Sequence, residues 1–366
     1  MNNLVNKFKN MNKVTKRNTV TYAIVIAAYL IIQMLVMTGS ISSLMKGLLV
    51  PMCVYAIAAI SLNLVVGISG ELSLGHAGFM CVGAYSSAFF SVLIGDAMPE
   101  GIRFVLAIII GACVAALFGF IIGIPVLKLK GDYLAIVTLA FGEIIKNLMN
   151  VIYVGRDSKG LHFSVTDADA LNMEADGQVI IKGALGITGT PKNSTFTIGI
   201  ILILVTLFIV LNLINSRAGR AIMSLRDNRI AAESVGINIT KYKMMAFAIS
   251  AALAGVAGVL YAHNLSTLTV KKFDYNTSIL ILVFVVLGGI GNIRGSMIAA
   301  VLLTVLPELL RGLSDYRMLI YAVVLISMML FNWAPAAINW RAKLKAKIAE
   351  KGWTDKFNKK EMKEDK

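Results

Sequence analysis

The chain has 366 residues, of which 57% are hydrophobic and 15% are charged, and its mean hydropathy is +0.77. Soluble proteins carry about 25% charged residues, so the composition excludes a soluble globular protein and predicts an all-α polytopic membrane protein. The formal net charge of +15 would suit nucleic-acid binding, but positive charge also collects in the cytoplasmic loops of membrane proteins. The distribution of the charge along the chain decides between these explanations.

The chain begins with a basic segment, residues 1–20, which contains five basic residues and no acidic residue and is predicted to be a cytoplasmic tail. The apolar run 21–38 is close to the roughly 20 residues that a helix needs to cross the hydrocarbon core. A secretory signal would have a shorter apolar core and a small-residue cleavage site. This run is therefore predicted to be an uncleaved first span.

Ten transmembrane helices are predicted, and they form a membrane domain over residues 21–335. After the first, the predicted spans are 47–67, 79–95, 103–127, 133–152, 195–214, 244–263, 276–291, 296–312 and 316–333. With both termini in the cytoplasm, the cytoplasmic segments hold 24 Lys and Arg residues and the external segments hold ten. This is the bias of the positive-inside rule, and it explains the basic charge without nucleic acid.

Three segments outside the predicted spans are long. Residues 153–194 are polar and rich in Asp and Gly, and are predicted to be an external loop that covers a pore mouth, meets a partner or is disordered. Residues 215–243 are predicted to be cytoplasmic. Residues 336–366 form a basic C-terminal tail, which is also predicted to be cytoplasmic.

A glycine-rich break interrupts the apolar pattern between Ser61 and Ala88. A broken helix exposes backbone groups that a bilayer tolerates only where they are buried in protein or line a wet cavity, and such breaks form the substrate paths of many transporters. A tight polar loop between two spans fits the pattern equally well. The candidate residues for a substrate path are the polar side chains around the break: Asn63, Ser69, Glu71, Ser73 and His76.

Two other features lie within predicted spans. A second glycine cluster runs from Gly288 to Gly295, whereas Gly255 and Gly258 are predicted to serve close helix packing. Glu143 and Lys146 are ionisable residues in one span, which suggests a function by default. Because they lie three positions apart on a helix and can neutralise each other, a structural role is favoured.

The sequence predicts neither a catalytic residue nor a metal site. The cysteines, Cys53, Cys81 and Cys113, lie in apolar segments, where a thiol behaves as a small hydrophobic group, and no disulfide is predicted. The three histidines are too scattered for a metal-ligand motif, and the sequence lacks the GxxxxGK[ST] phosphate loop. The chain is therefore not predicted to be an enzyme or to bind a cofactor.

The segment 215–243 contains a short helical pattern from Asn228 to Val235, which carries Ala231 and Ala232 and is followed by Gly236. Glycine at this position is a common helix stop. Small residues on an exposed helix permit close contact with another protein. A connecting loop whose charges only enforce topology is the alternative.

Four stretches in this order resemble successive signatures of the branched-chain amino acid ABC transporter permease family, LivM type. They read GISGELSLGHAGFMCVGAYSSA, KGDYLAIVTLAFGEIIKN, GRAIMSLRDNRIAAESVGINITKYKMMAFAISAALAGVAGVLYAH and VVLGGIGNIRGS. The resemblance covers residues 47–335. It implies the ABC importer permease fold, with an inverted pseudo-repeat of spans two to five and seven to ten.

The resemblance also implies a coupling helix that docks on an ATPase subunit. Its motif is similar to Glu-Ala-Ala followed by Gly, and here Ala231, Ala232 and Gly236 match while Ile230 stands in place of Glu. The polar rim of this helix is assigned to three further residues: Arg226, Asp227 and Glu233.

The resemblance implies a subunit that moves leucine, isoleucine or valine across a bacterial cytoplasmic membrane by ATP-driven alternating access. Its implied partners are two ATP-binding subunits that use ATP and Mg, a second permease and an extracytoplasmic substrate-binding protein. A permease for urea or short amides is a close alternative, and a self-contained secondary transporter or channel is a more distant one.

Overall fold

The computed structural model describes residues 13–40, 42–129, 131–174, 177–333 and 339. The predicted tails, residues 1–20 and 336–366, therefore lie mostly outside the described residues. The described chain falls into two compact units that divide between Val305 and Leu306, and each unit is described by itself.

The first unit is built from long helices: α1 (Lys13–Met37), α2 (Ser43–Asn63), α3 (His76–Ile94), α4 (Glu100–Val126), α5 (Asp132–Val151), α6 (Phe196–Asn215), α9 (Ile239–Ala262) and α10 (Tyr275–Gly288). Two short helices, α7 (Arg217–Asp227) and α8 (Arg229–Ser234), connect α6 to α9. Helix α11 (Ile293–Leu309) begins in the first unit and ends in the second. The second unit continues with a 3₁₀ segment (Leu310–Tyr316) and α12 (Arg317–Trp333).

Each of the ten predicted spans coincides with one of these helices, so the all-α polytopic fold is confirmed. Eight helices in the described part of the chain are long and apolar enough to cross a membrane. Helices α10 and α12 have only 14 and 17 residues. The chain is an integral membrane protein, and the number of ten crossings stays a prediction.

Helix α9 lies at the centre of the first unit and packs on α2, α3 and α4. Small residues bring the backbones together: a Cβ atom at Gly258 would lie 2.0 Å from the carbonyl oxygen of Met80, and one at Gly83 would lie 2.4 Å from Cα of Gly255. Such close approach gives helices in a bilayer their packing energy. The predicted packing role of Gly255 and Gly258 is confirmed.

Five short strands form an antiparallel sheet with the order β2-β1-β3-β4-β5. The strands are β1 (Tyr153–Asp157), β2 (Gly160–Ser164), β3 (Gln178–Lys182), β4 (Ile187–Thr188) and β5 (Thr267–Leu268). Four of them lie in the loop 153–194, so disorder is wrong for the described part of that loop. The fifth, β5, follows α9, and its Leu268 pairs with Ile187 of β4.

Candidate functional site

The first glycine break begins where α2 turns into a π-helical segment, Leu64–Ser69. The segment ends at Gly70, whose φ of +76° is a left-handed conformation that favours glycine. Residues 71–75 are not helical, and α3 then begins at His76. The predicted break in the helix is therefore present.

The break turns back toward the interior of the helix bundle. Oγ of Ser61 lies 2.6 Å from Nε2 of His76, so the start of α3 is level with Ser61. Ser61 precedes Ser69 by eight residues, which is about 12 Å along a helix at 1.5 Å per residue. The chain therefore continues beyond Ser61 as far as the π segment and then returns to the level of Ser61 before α3 starts. This is a re-entrant course.

All five candidate path residues are buried: Asn63, Ser69, Glu71, Ser73 and His76. The π segment and the return segment are thus covered by protein, as a bilayer requires of irregular backbone. These side chains are not in an exposed turn. Their role in a substrate path stays a prediction, because they contact protein on all sides and a path beside them requires the surrounding helices to separate.

Each of these side chains has a distinct environment. Glu71 forms an ion pair with Lys243 near the start of α9, and the two side chains are 11% and 9% exposed. The hydroxyl of Ser73 is buried without a hydrogen-bond partner among the described residues. The backbone nitrogen of Ala77, just inside α3, donates to Oγ of Ser278 at 3.0 Å, which ties this helix start to α10.

The second glycine break lies between α10 and α11 and touches the first. The backbone nitrogen of Gly291, which has a φ of +81°, donates to Oδ1 of Asn63 at 2.9 Å. Nδ2 of Asn63 donates to Oγ of Ser296 at 2.6 Å. A Cβ atom at Gly67 would lie 2.3 Å from the nitrogen of Gly291, so only glycine allows the two breaks to meet this closely.

Arg226, at the end of α7, reaches this junction. Its Nη1 donates to the carbonyl oxygen of Gly67 at 2.7 Å, and its side chain lies against Gly70. Its Nε and Nη2 donate to Oδ1 of Asp227 at 3.1 and 2.9 Å. The sequence placed Arg226 and Asp227 on the rim of the docking helix, but both residues end α7, and Arg226 contacts the first break through Nη1.

The short helix predicted after Asn228 is present as α8, and its docking on an ATPase stays a prediction. Oδ1 of Asn228 accepts from the backbone nitrogen of Ala231 at 3.0 Å and caps the helix start. The nitrogen of Ile237 donates to the carbonyl oxygen of Ala232 at 3.1 Å, beyond Gly236 at the helix end. Gly236 thus ends the helix as the sequence pattern predicted, whereas the capping role of Asn228 was not identified from the sequence.

Helix α8 presents an apolar surface. Ile230 and Val235 are 81% and 74% exposed, and Ala231 and Glu233 are also exposed, whereas Ala232 is 4% exposed. Large exposed apolar side chains on a polar connecting segment indicate an interaction surface. Ala232 is therefore part of the local core, whereas Ile230, Ala231 and Val235 face solvent.

Several residues that bind the first break were not identified from the sequence. Oγ of Ser250 donates to the carbonyl oxygen of Ser61 at 2.6 Å, and Oγ1 of Thr138 accepts from the nitrogen of Leu74 at 3.0 Å. Single Ser and Thr residues in apolar helices are common, so no pattern marks these two. Lys243 could have been recognised as a cation at the end of an apolar span.

Comparison with known proteins gives one family. The model of the branched-chain amino acid transport system / permease component matches residues 44–331. The LivM permease of a high-affinity branched-chain amino acid transport system in Salmonella typhimurium is 35% identical over 300 residues, which cover 78% of this chain and 67% of that protein.

More distant relatives are also permeases. The LivH permease of the high-affinity branched-chain amino acid transport system in Escherichia coli is 26% identical over 261 residues, covering 70% of this chain and 81% of LivH. The nucleoside ABC transporter permease NupC of Lactococcus lactis is 24% identical over 216 residues, covering 54% of this chain and 60% of NupC. No solved structure matches the chain.

Proposed function

Since the chain belongs to the branched-chain amino acid transport permease family and is of the LivM type, we propose that it moves leucine, isoleucine and valine into the cell. It acts as one permease of an importer that also contains a second permease, two ATP-binding subunits and an extracytoplasmic binding protein. It lies in the cytoplasmic membrane of a bacterium with both termini in the cytoplasm. ATP and Mg are used by the ATP-binding subunits.

The contact between Arg226 and Gly67 carries the proposed mechanism. Arg226 is the next-to-last residue of α7 and lies two residues before Asn228, the cap of α8. It hydrogen-bonds the first glycine break at 2.7 Å. The break in turn contacts Gly291 of the second break through Asn63. If a docked ATPase displaces α8, the displacement therefore reaches the two glycine breaks of the helix bundle through Arg226 and Asn63.

In this proposal, the displacement of α8 drives the alternation between inward-facing and outward-facing states. The five buried polar residues around the first break are packed in this structure, so cargo passes them only when α2, α3 and α9 separate. A ligand shifts a conformational equilibrium only by its differential affinity for the two states. In this proposal the ATPases supply that difference, because ATP closes them and moves α8.

Uptake by the complete complex tests the cargo. Proteoliposomes that contain this chain with its native partners, binding protein outside and ATP inside, are expected to accumulate labelled leucine, isoleucine and valine. Vesicles without ATP are the control and are expected to show only background. Accumulation of labelled urea but not leucine would contradict the proposed cargo, and ion-driven uptake by the lone chain would contradict the ABC mechanism.

A further inference from the structure

A group of charged side chains gathers between α5 and the start of α10. Nζ of Lys146 and Oε2 of Glu143 form an ion pair at 2.8 Å, and Oε1 of Glu143 accepts from the backbone nitrogen of Tyr275 at 3.1 Å. Asp274, which precedes Tyr275, lines the same crevice as Glu143. Lys271 and Lys272 are exposed, and the 3₁₀ turn that carries them, Val270–Lys272, packs against α5. The mid-span charge cluster is defined by these residues: Glu143, Lys146, Lys271, Lys272 and Asp274.

Glu143 lies near the middle of α5, a helix that is long and apolar enough to cross a membrane. Glu143 is 11 residues after the first residue of α5 and 8 residues before its last, Val151, which corresponds to about 16 and 12 Å of helix. The hydrocarbon core is about 30 Å thick. Because Tyr275 bonds Glu143, helix α10 also begins at this depth, so residues 264–274 run from the end of α9 into the membrane without forming a long helix.

The charges of the cluster are only partly shielded by protein. The side chains of Lys146 and Glu143 are 23% and 28% exposed. Lys271 and Lys272 are exposed and form no ion pair with any described residue. Ionisable groups at such depth face a bundle interior or a water-filled cavity rather than lipid, and non-helical backbone at this depth has the same requirement. The cluster therefore indicates a water-filled cavity in the membrane domain, which is called the wet pit below.

A narrow crevice continues from the pit toward the first glycine break. Its lining includes Glu143, Asp274 and Tyr275, and also Leu74 and Ala77, which are next to Ser73 and His76 in the chain. The crevice is too narrow for a water molecule in this structure. Its far end is the re-entrant start of α3, so the pit and the candidate path residues are the two sides of one closed constriction.

We infer that the mid-span charge cluster is a transit site for the zwitterionic head group of an amino acid. Lysine ammonium groups bind the carboxylate of the cargo, and Glu143 binds its ammonium group. Exposed apolar side chains beside the cluster, those of Ile144, Tyr275 and Ile279, contact a branched side chain. The inference rests on the proposed function, since it assigns a site to that cargo. It replaces the purely structural role that the spacing of Glu143 and Lys146 favoured.

Charge variants of the complete complex test the site. The measured quantities are leucine uptake and ATPase rate at saturating loaded binding protein. Lys146→Met and Glu143→Gln are each expected to lower uptake at least tenfold while ATPase stimulation stays within about twofold of the unsubstituted complex. The exchange Glu143→Lys with Lys146→Glu keeps the ion pair but reverses its polarity, and is expected to leave uptake equally low.

The exchange distinguishes a ligand site from a structural pair. Recovery of normal uptake in the exchanged variant, or normal uptake in both single variants, overturns the inference. The matched control is the (i, i+3) pair of Glu308 and Arg311, whose nitrogen and oxygen lie 3.0 Å apart. Glu308→Gln is expected to transport normally.

Thiol labelling keeps the inference testable if a charge variant fails to insert. In a Cys113→Ala background, Asn276→Cys is expected to react with a membrane-impermeant thiol reagent during ATP turnover, since Asn276 is exposed beside the pit. Leu117→Cys on the outer face of α4 is the control that stays unmodified. Equal lack of reaction at both positions overturns the wet pit.

The experiments can reject the proposed cargo and the proposed site independently. If the unsubstituted complex accumulates no leucine, the cargo is wrong whatever the variants do. If it accumulates leucine and the charge variants match it, the site alone is wrong.

Discussion

The carbonyl oxygen of Gly67 accepts a hydrogen bond from Nη1 of Arg226 at 2.7 Å, although the two residues are 159 positions apart. A guanidinium is a rigid, always charged donor, and here it binds a backbone oxygen of a π-helical segment. Helix α7, which directly precedes α8, and the first glycine break are thereby joined through one side chain.

Removal of this donor is expected to uncouple transport. Arg226→Met leaves the oxygen of Gly67 without its charged donor and should lower leucine uptake at least tenfold in proteoliposomes, with normal insertion. Arg229→Met removes an exposed cation three residues away and should leave uptake within about twofold. Equal uptake by the two variants would show that Arg226 does not transmit the motion of α8.

The exposed face of α8 is expected to bind the ATPase. Ile230→Asp and Ala231→Arg place charge on an apolar contact surface and should abolish stimulation of the ATPase by loaded binding protein. Thr240→Arg, an exposed position just beyond α8, is the control. Full ATPase stimulation by Ile230→Asp and Ala231→Arg would mean that another surface docks.

Ala232 differs from its neighbours on the same helix. Because its side chain is 4% exposed, Ala232→Arg should disrupt α8 rather than only its surface. We expect faster proteolysis of the 215–243 segment in this variant and not in Ala231→Arg. A protease pattern identical in the two variants would place Ala232 on the surface.

The buried ion pair of Glu71 and Lys243 is expected to stabilise the re-entrant segment. Removing one partner of a buried pair leaves an uncompensated charge and costs about 3–5 kcal/mol in soluble proteins. Glu71→Gln or Lys243→Gln should therefore lower the melting temperature of the purified complex by several degrees. The double variant, with Glu71→Gln and Lys243→Gln, should lose less than the sum of the two single variants, and strict additivity would argue against the pair.

Asp157 is expected to make the β1–β2 hairpin sensitive to acid. Burial raises the pKa of its carboxyl, but hydrogen bonds from Glu174, Lys159, His162 and Gly160 outweigh burial and hold this pKa below its usual range. A depressed pKa stabilises the fold above the unfolded-state pKa of about 4, and the contribution is lost as pH falls through the lower folded-state value.

Hydrogen exchange at the hairpin measures this effect. Protection of the amides of Lys159 and Gly160, which donate to Oδ1 of Asp157 at 2.8 and 3.1 Å, should be high at neutral pH and fall below about pH 4. Asp157→Asn should reduce protection at neutral pH and remove its pH dependence. An unchanged pH dependence in Asp157→Asn would assign the transition to another group.

The positions of the helices were predictable because apolar runs of span length depend on local composition alone. The same holds for the helix stop at Gly236, which uses the backbone next to it. The re-entrant course of the first break was not predictable, because it depends on the contact of Ser61 with His76 in a folded bundle. A glycine cluster indicates that the chain bends, but it does not indicate the direction of the bend.

The β sheet and the inward contact of Arg226 were missed for related reasons. The strand segment Gln178–Lys182 has a short β-branched core, but most of the loop is polar and has no alternating pattern. Arg226 belongs to a segment whose basic residues are expected from the positive-inside rule. The sequence therefore does not distinguish a basic residue with a specific partner from the others. In both cases the decisive contacts lie far away in the chain.

The pairing of β4 with β5 also constrains how the protein is made. Ile187 and Leu268 are partners in the sheet, and α6 to α9 lie between them in the chain. A ribosome releases β4 long before β5, so the fifth strand joins only after the intervening helices have been synthesised and inserted. Completion of this sheet therefore depends on correct insertion. A nascent chain with a misinserted α6 or α9 would have β5 on the wrong side of the membrane, and β4 would keep its pairing with β3 but present an open edge.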